Sequence, residues 1–225
     1  MPEWLTWLWG TDPATRERRR IFEAILRDNA WGSAESVSGP GSDIARATLF
    51  RPDFEALIRA LGVRTLLDVP CGDFNWLGEF DLGLERYTGV DILPELISRN
   101  RKRHASPRRR FLLRDMVRDR LPRADMILCR DGLVHLTDAD VFATLRNFKR
   151  AGSTWLLTNT FEERPGNPPI ATGEWRPLNL QAPPFMLPPP AQVIDEQCLG
   201  YGGVYRDKRL SLWRLADLQL PTDQG

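Results

Sequence analysis

Thr65-Leu66-Leu67-Asp68-Val69-Pro70-Cys71-Gly72-Asp73-Phe74-Asn75-Trp76 decides the fold of this 225-residue chain. The apolar run from Leu66 to Val69 reads as a short strand buried on both faces. Pro70 and Gly72 break it into a tight turn, with Asp68 standing just before the break. A second run, Tyr87-Thr88-Gly89-Val90-Asp91-Ile92, again ends in an acid, and Asp91 lies 23 residues beyond Asp68. A strand, a glycine-containing turn and a helix, followed by an acid at the end of the next strand, is the way an open parallel sheet builds a nucleotide-sized crevice. The class is therefore α/β, with the crevice at the carboxyl ends of the strands.

Working outward, four stretches occur in order: LLDVPCGDFNW (66–76), YTGVDI (87–92), LLRDM (112–116) and ADMILCRDGLVHL (124–136). Together they resemble motifs one to four of the class I S-adenosylmethionine-dependent methyltransferases. The resemblance implies a Rossmann-like, doubly wound, mostly parallel seven-stranded sheet whose last strand, near 209–215, inserts antiparallel. It also implies that Asp68, Pro70, Cys71, Gly72, Asp73, Asn75 and Trp76 form the first cofactor-binding turn. Asp91 and Ile92 would follow at the ribose, Asp115 at the adenine amino group, Met116 on the ring, and Arg130 beside the fourth motif. Pro70 and Asp73 stand where the family usually has glycines. A pyrophosphate needs bare backbone N–H groups, so this turn argues against a nicotinamide dinucleotide. A sulfonium and an ammonium group suit a turn bearing the acids Asp68 and Asp73. Taken singly, each of those acids reads as a turn cap.

Upstream, residues 13–29 read as a helix capped by Asp12, with Pro13 in its first turn and Ile21, Phe22, Ile25 and Leu26 on one face. A second helix spans 43–61, with apolar positions Leu49, Phe54, Leu57, Ile58 and Leu61, an interruption near Pro52 and a stop at Gly62. The Gly- and Ser-rich stretch 29–42 between them has the composition of a linker, yet holds Trp31. It resembles the WG-x-x-ES-x-SG-x-GS head of one group of bacterial methyltransferases. That resemblance implies a lid over the cofactor, walled by Trp31, with Ser38, Gly39 and Ser42 toward the methionine carboxylate. Two regions follow: N-terminal helices and lid over 1–62, and a core over 63–225.

Further strands are expected at 111–114, 126–130 and 154–158, with helices at 93–104 and 138–151. Residues 161–192 hold many prolines interleaved with Ile170, Trp175, Leu178, Leu180, Phe185, Met186 and Leu187. A long segment without regular elements inside a compact domain is usually functional. It reads as an ordered wall of the acceptor pocket, with Trp175 and Arg176 as substrate contacts.

Net charge is +1 from 31 basic and 30 acidic residues, so no global pull toward nucleic acid or an anionic membrane exists. The basic run from Arg99 to Arg110 lacks interleaved aromatics and reads as a solvated helix end. Cys71, Cys129 and Cys198 are too far apart for a metal knuckle and read as buried thiols of a cytoplasmic protein. No apolar run reaches a membrane span. The aromatic start, Met1 to Trp9, reads as an arm packing on the body or on a second copy, which makes a homo-oligomer an open expectation.

A hydroxyl is a poor nucleophile at neutral pH, and His135, four residues past Asp131, is the histidine at the crevice and the candidate general base. The alternative reading is a histidine that orders the start of a helix. Asp131 is read as orienting His135, contacting the acceptor or, with Asp138, Glu162 and Glu163, holding Mg²⁺. The head, together with RPLNL-x-x-PPF (176–185), resembles bacterial sugar and polysaccharide methyltransferases, including the methylmannose type. The resemblance implies O-methylation of a sugar or oligosaccharide hydroxyl; another small metabolite, a lipid or a natural product is the alternative.

Overall fold

The computed structural model describes residues 12–221. The aromatic start lies outside them. Four helices and seven strands follow in chain order: α1 Pro13–Arg27, α2 Ile44–Ala60, β1 Thr65–Asp68, β2 Arg86–Asp91, α3 Pro94–His104, β3 Arg109–Leu113, β4 Met126–Cys129, α4 Asp138–Ala151, β5 Trp155–Phe161, β6 Gln192–Asp195 and β7 Lys208–Arg214. The strands form one sheet in the order β3-β2-β1-β4-β5-β7-β6. β1 to β5 are parallel, and β7 inserts antiparallel between β5 and β6. This is the Rossmann-like sheet that the motifs imply.

The period-two alternation of the strands builds a core on each face. In β4 all four side chains are buried: Met126 and Leu128 pack with Phe50, Phe54 and Trp76 on one side, Ile127 and Cys129 with Leu145 and Phe148 on the other. The second core is closed by Leu178, Leu180, Phe185 and Leu187 from the proline-rich segment. Asn167 and Asn179 tie that segment together, donating to the carbonyls of Pro183, Glu162 and Arg164.

Helix ends follow local chemistry. The Asp12 carboxylate accepts the Thr15 N–H (2.9 Å) and starts α1. At the end of α2, Val63 N–H donates to Ile58 and Gly62 N–H to Arg59, a wrap that needs the positive φ of Gly62.

Three expectations are corrected. Pro52 does not interrupt α2. It is exposed and removes a single donor, while Phe50 and Phe54, both fully buried, clamp the helix on either side of it. Leu49 is 42% exposed, and Ala47 and Phe50 take the buried face instead. The edge strand β6 lies at the end of the stretch read as irregular, because its four residues carry no alternation long enough to count.

Candidate active site

The carboxyl ends of β1, β2, β3 and β4 open into one cavity at the point where the strand order reverses, between β1 and β4. Asp91, ending β2, accepts Gly72 N–H at 3.0 Å and Leu93 N–H at 2.9 Å. Burial pushes its carboxyl up to about 6 despite these bonds. Asp68, ending β1, accepts the Tyr87 hydroxyl at 2.6 Å. Burial, with Asp91 nearby, raises it to about 7 against the pull of that bond. Both acids line the cavity, so it offers negative charge to a cation that would relieve their mutual repulsion.

Pro70, Cys71, Gly72, Asp73, Asn75 and Trp76 also border this cavity. The structure adds a task for two of them. The Asp73 carboxylate accepts the hydroxyls of Ser36 and Ser38 and the Val37 N–H, at 3.0–3.1 Å. Asn75 donates to Glu35 (2.7 Å) and to the Ser42 carbonyl, while Glu35 accepts the Ile44 N–H at the start of α2. The 29–42 stretch is thus docked on the first turn. A Cβ on Gly72, whose φ is +52°, would run into Ser38 Oγ, so only glycine permits this approach.

At the far end, Ile92 and Met116 line the cavity with Asp115. Asp115 Oδ2 is already taken by α1: it accepts Thr15 Oγ1 at 2.7 Å, Arg18 Nη2 at 2.7 Å and Arg18 Nε at 3.1 Å. Oδ1 accepts Val117 N–H and keeps the remaining capacity. The sequence offered no signal for Thr15 and Arg18, which lie about a hundred positions away from Asp115. Arg18 reaches Asp140 as well, so α1 is clamped across the opening.

A second cavity adjoins the first. Trp31, Ser38, Arg130, Asp131 and His135 line both. Gly39 borders only the second. Its outer wall is Phe161, Trp175 and Tyr205, three rings in edge-to-face contact with centroids 5.0–6.0 Å apart. Trp31 stacks on His135 at 4.9 Å between centroids. His135 Nδ1 lies 2.9 Å from the Glu174 carbonyl oxygen, which can only accept. Nδ1 therefore carries the proton, and Nε2 is left with a free lone pair. Burial holds the imidazole below its usual value, with Lys208 adding to the effect and Glu174 and Asp131 opposing it.

Asp131, held at φ +54°, is gripped by Lys208 Nζ at 2.7 Å. Burial opposes its ionisation, but Lys208 and Arg130 outweigh burial and keep it at about 2. Arg130 in turn donates through Nε and Nη2 to Glu196 Oε2, at 2.9 and 2.6 Å, and through Nη1 to the Gly41 carbonyl. Lys208 and Glu196 were not legible as site residues, since they meet partners 77 and 66 positions away.

Arg176, read as a substrate contact, lines neither cavity. It is 1% exposed and spans Asp138 (2.7 Å), the Pro168 carbonyl and the Leu136 carbonyl, which makes it a brace for the proline-rich segment. The acids suggested for Mg²⁺ do not fit a metal either. Asp131 pairs with Lys208, Asp138 with Arg176, Glu162 with Arg209 and Glu163 with Arg206, and they stay apart. Among the described residues no group of three or more His, Cys, Asp and Glu comes together as a donor set.

The sheet order and a crevice walled by strand-end acids define a class I methyltransferase fold. Residues 66–152, from β1 to the end of α4, match the family model described as a methyltransferase domain. The chain thus carries a methyltransferase domain over these residues. No curated protein matches it. Magnesium protoporphyrin IX methyltransferase (ChlM) from Synechocystis PCC 6803 with bound SAM is similar in structure, with a TM-score of 0.50 and 14% identity over 73% of this chain and 82% of that one. CalS10, an amino pentose methyltransferase from Micromonospora echinaspora, gives 0.42 and 23% over 61% and 55%. The methyltransferase domain of bacterial CtHen1 gives 0.45 and 18% over 52% and 67%. No helix among the described residues is long and apolar enough to cross a membrane.

Proposed function

We propose that this enzyme methylates a hydroxyl group of a sugar or oligosaccharide, with His135 as general base. The carrying observation is the wall shared by the two cavities, where His135 presents an unprotonated Nε2. The Asp68–Asp91 side would hold S-adenosylmethionine, which would supply an electrophilic methyl carbon and a thioether leaving group. His135 accepts the proton of the acceptor hydroxyl at Nε2, and the Glu174 carbonyl holds the ring in place through that step. Asp131, on that wall and ion-paired with Lys208 of the second cavity, orients the acceptor in this reading.

A hydroxyl is favoured over an amine by charge. Arg46, Arg130 and Lys208 face the second cavity against Asp131 and Glu196, which leaves a positive balance that disfavours an ammonium. The rings of Trp175 and Tyr205 offer flat apolar faces suited to the C–H side of a pyranose. The sugar resemblance of the head and of 176–185 points the same way.

The test is release of S-adenosylhomocysteine with a panel of neutral, acidic and amino hexopyranosides. Turnover of neutral or acidic sugars is expected; methylation confined to the amino sugars would overturn the reading.

The 29–42 stretch we read as the cofactor lid, since its Ser36–Ser38 turn seats on the loop that borders the cofactor cavity. Thermolysin cleavage near Val37 should slow several-fold on saturation with S-adenosylhomocysteine. Equal cleavage with and without it would mean that the stretch does not respond to the cofactor.

A further inference from the structure

Glu196 follows directly after β6 and is 4% exposed. Its two carboxylate oxygens live in different surroundings. Oε2 accepts Arg130 Nε and Nη2 and lies 3.3 Å from Lys208 Nζ. Oε1 is buried and has no hydrogen-bond partner in the protein. Buried polar atoms are almost always paired, so an unpaired one beside a cavity calls for an explanation, and a water or a ligand group is the simplest. A carboxylate oxygen can only accept, so that partner must bring an N–H or O–H. Glu196 lines the second cavity and not the first, whereas His135 lines both. A donor that reaches Glu196 is therefore not the group beside the transferable methyl.

We propose that Glu196 is a specificity residue that accepts a hydrogen bond from a second hydroxyl of the acceptor, one that is not methylated. The substrate class is then a polyhydroxylated molecule anchored at two points: one hydroxyl at His135 and another at Glu196 Oε1. Lys208 ties Glu196 to Asp131, which borders both cavities with His135: its ammonium touches both carboxylates and fixes them relative to each other. The ring wall of Phe161, Trp175 and Tyr205 closes the same cavity. A site built to bond a substrate hydroxyl rejects an analogue lacking it far more strongly than a shape-only pocket does. The inference rests on the sugar-hydroxyl reading above.

The experiment uses the full chain, the best hexopyranoside from the panel and its singly deoxygenated analogues, with wild type and Glu196→Gln side by side. Gln keeps the size of the side chain and an oxygen for Arg130, and puts a donor in place of Oε1. Wild type should lose about 30-fold or more in kcat/KM on one deoxy analogue beyond the site of methylation, mainly through KM. Glu196→Gln should show that loss on the parent sugar and be indifferent to that one deoxygenation. Its affinity for S-adenosylhomocysteine, measured by calorimetry, should stay within about twofold of wild type.

A uniform loss across all analogues would make Glu196 a structural residue, and no loss would mean that Oε1 is served by water; either overturns the proposal while sugar turnover stands. Retained cofactor affinity with no sugar turned over by wild type would overturn the sugar reading itself, and this inference with it.

Discussion

Replacing His135 with glutamine should lower kcat by about 10²- to 10⁴-fold, the range expected for loss of a positioned general base. Affinity for S-adenosylhomocysteine should change by no more than a few-fold. Glutamine approximates the length of the ring and leaves a flat amide for Trp31 to rest on, so the wall between the cavities persists while the basic nitrogen is gone. The pH profile carries the sharper content. Burial depresses the imidazole below its usual value of 6.5, so the base form dominates at neutral pH. With the methyl donor saturating, wild-type kcat/KM for the acceptor should fall only as pH drops below that value, and this acid limb should vanish in His135→Gln. A variant that keeps near-wild-type turnover and the same acid limb would remove His135 from the chemistry.

Replacing Asp91 with alanine should weaken S-adenosylmethionine binding by about 10²-fold. A hydrogen bond to a charged acceptor contributes about 1.5–3 kcal/mol, and Asp91 also anchors the N–H groups of Gly72 and Leu93 that shape the turn. Asp91→Asn, which keeps one carbonyl oxygen, should fall between alanine and wild type. The raised carboxyls add a pH signature. Asp91 at about 6 and Asp68 at about 7 are partly protonated in the free protein near pH 6.5. A cationic ligand binds the ionised forms, which are populated above those values and lost below them. Affinity should therefore rise from pH 5 to 8, and binding at pH 6.5 should release protons. Calorimetry in buffers of different ionisation enthalpy reads that release directly; a pH-independent affinity would show that neither acid faces the cofactor's charge.

The sheet was legible because its evidence is local. The runs ending in Asp68 and Asp91 each contain strand, break and acid within a dozen residues, and the structure brings both acids to one cavity. His135 was legible for the same reason, since the fourth motif carries it next to the end of β4. The rest was hidden by distance along the chain. The carboxylate of Asp115 looked free because its claimants, Thr15 and Arg18, sit on α1. Trp175 and Arg176 are neighbours of opposite fate. One is 41% exposed at the mouth of the second cavity, and the other is buried as a brace because Asp138 happens to lie beneath it. Composition cannot separate such a pair. Pro52 misled for a different reason: the rule against proline inside a helix is about one donor, and two buried phenylalanines outweigh it.

The insertion of β7 between β5 and β6 has a consequence for how such an enzyme is re-specified. Most of the first cavity is lined by residues from 68 to 136, whereas Phe161, Trp175, Glu196, Tyr205 and Lys208 of the second all belong to the last third of the chain. In the function proposed above, the second stretch adds the acceptor-side wall to residues such as Trp31, Arg130, Asp131 and His135 that border both cavities. A change of acceptor is therefore expected from substitutions in the second stretch that keep the Glu196–Arg130 and Lys208–Asp131 pairs, which tie it to the first.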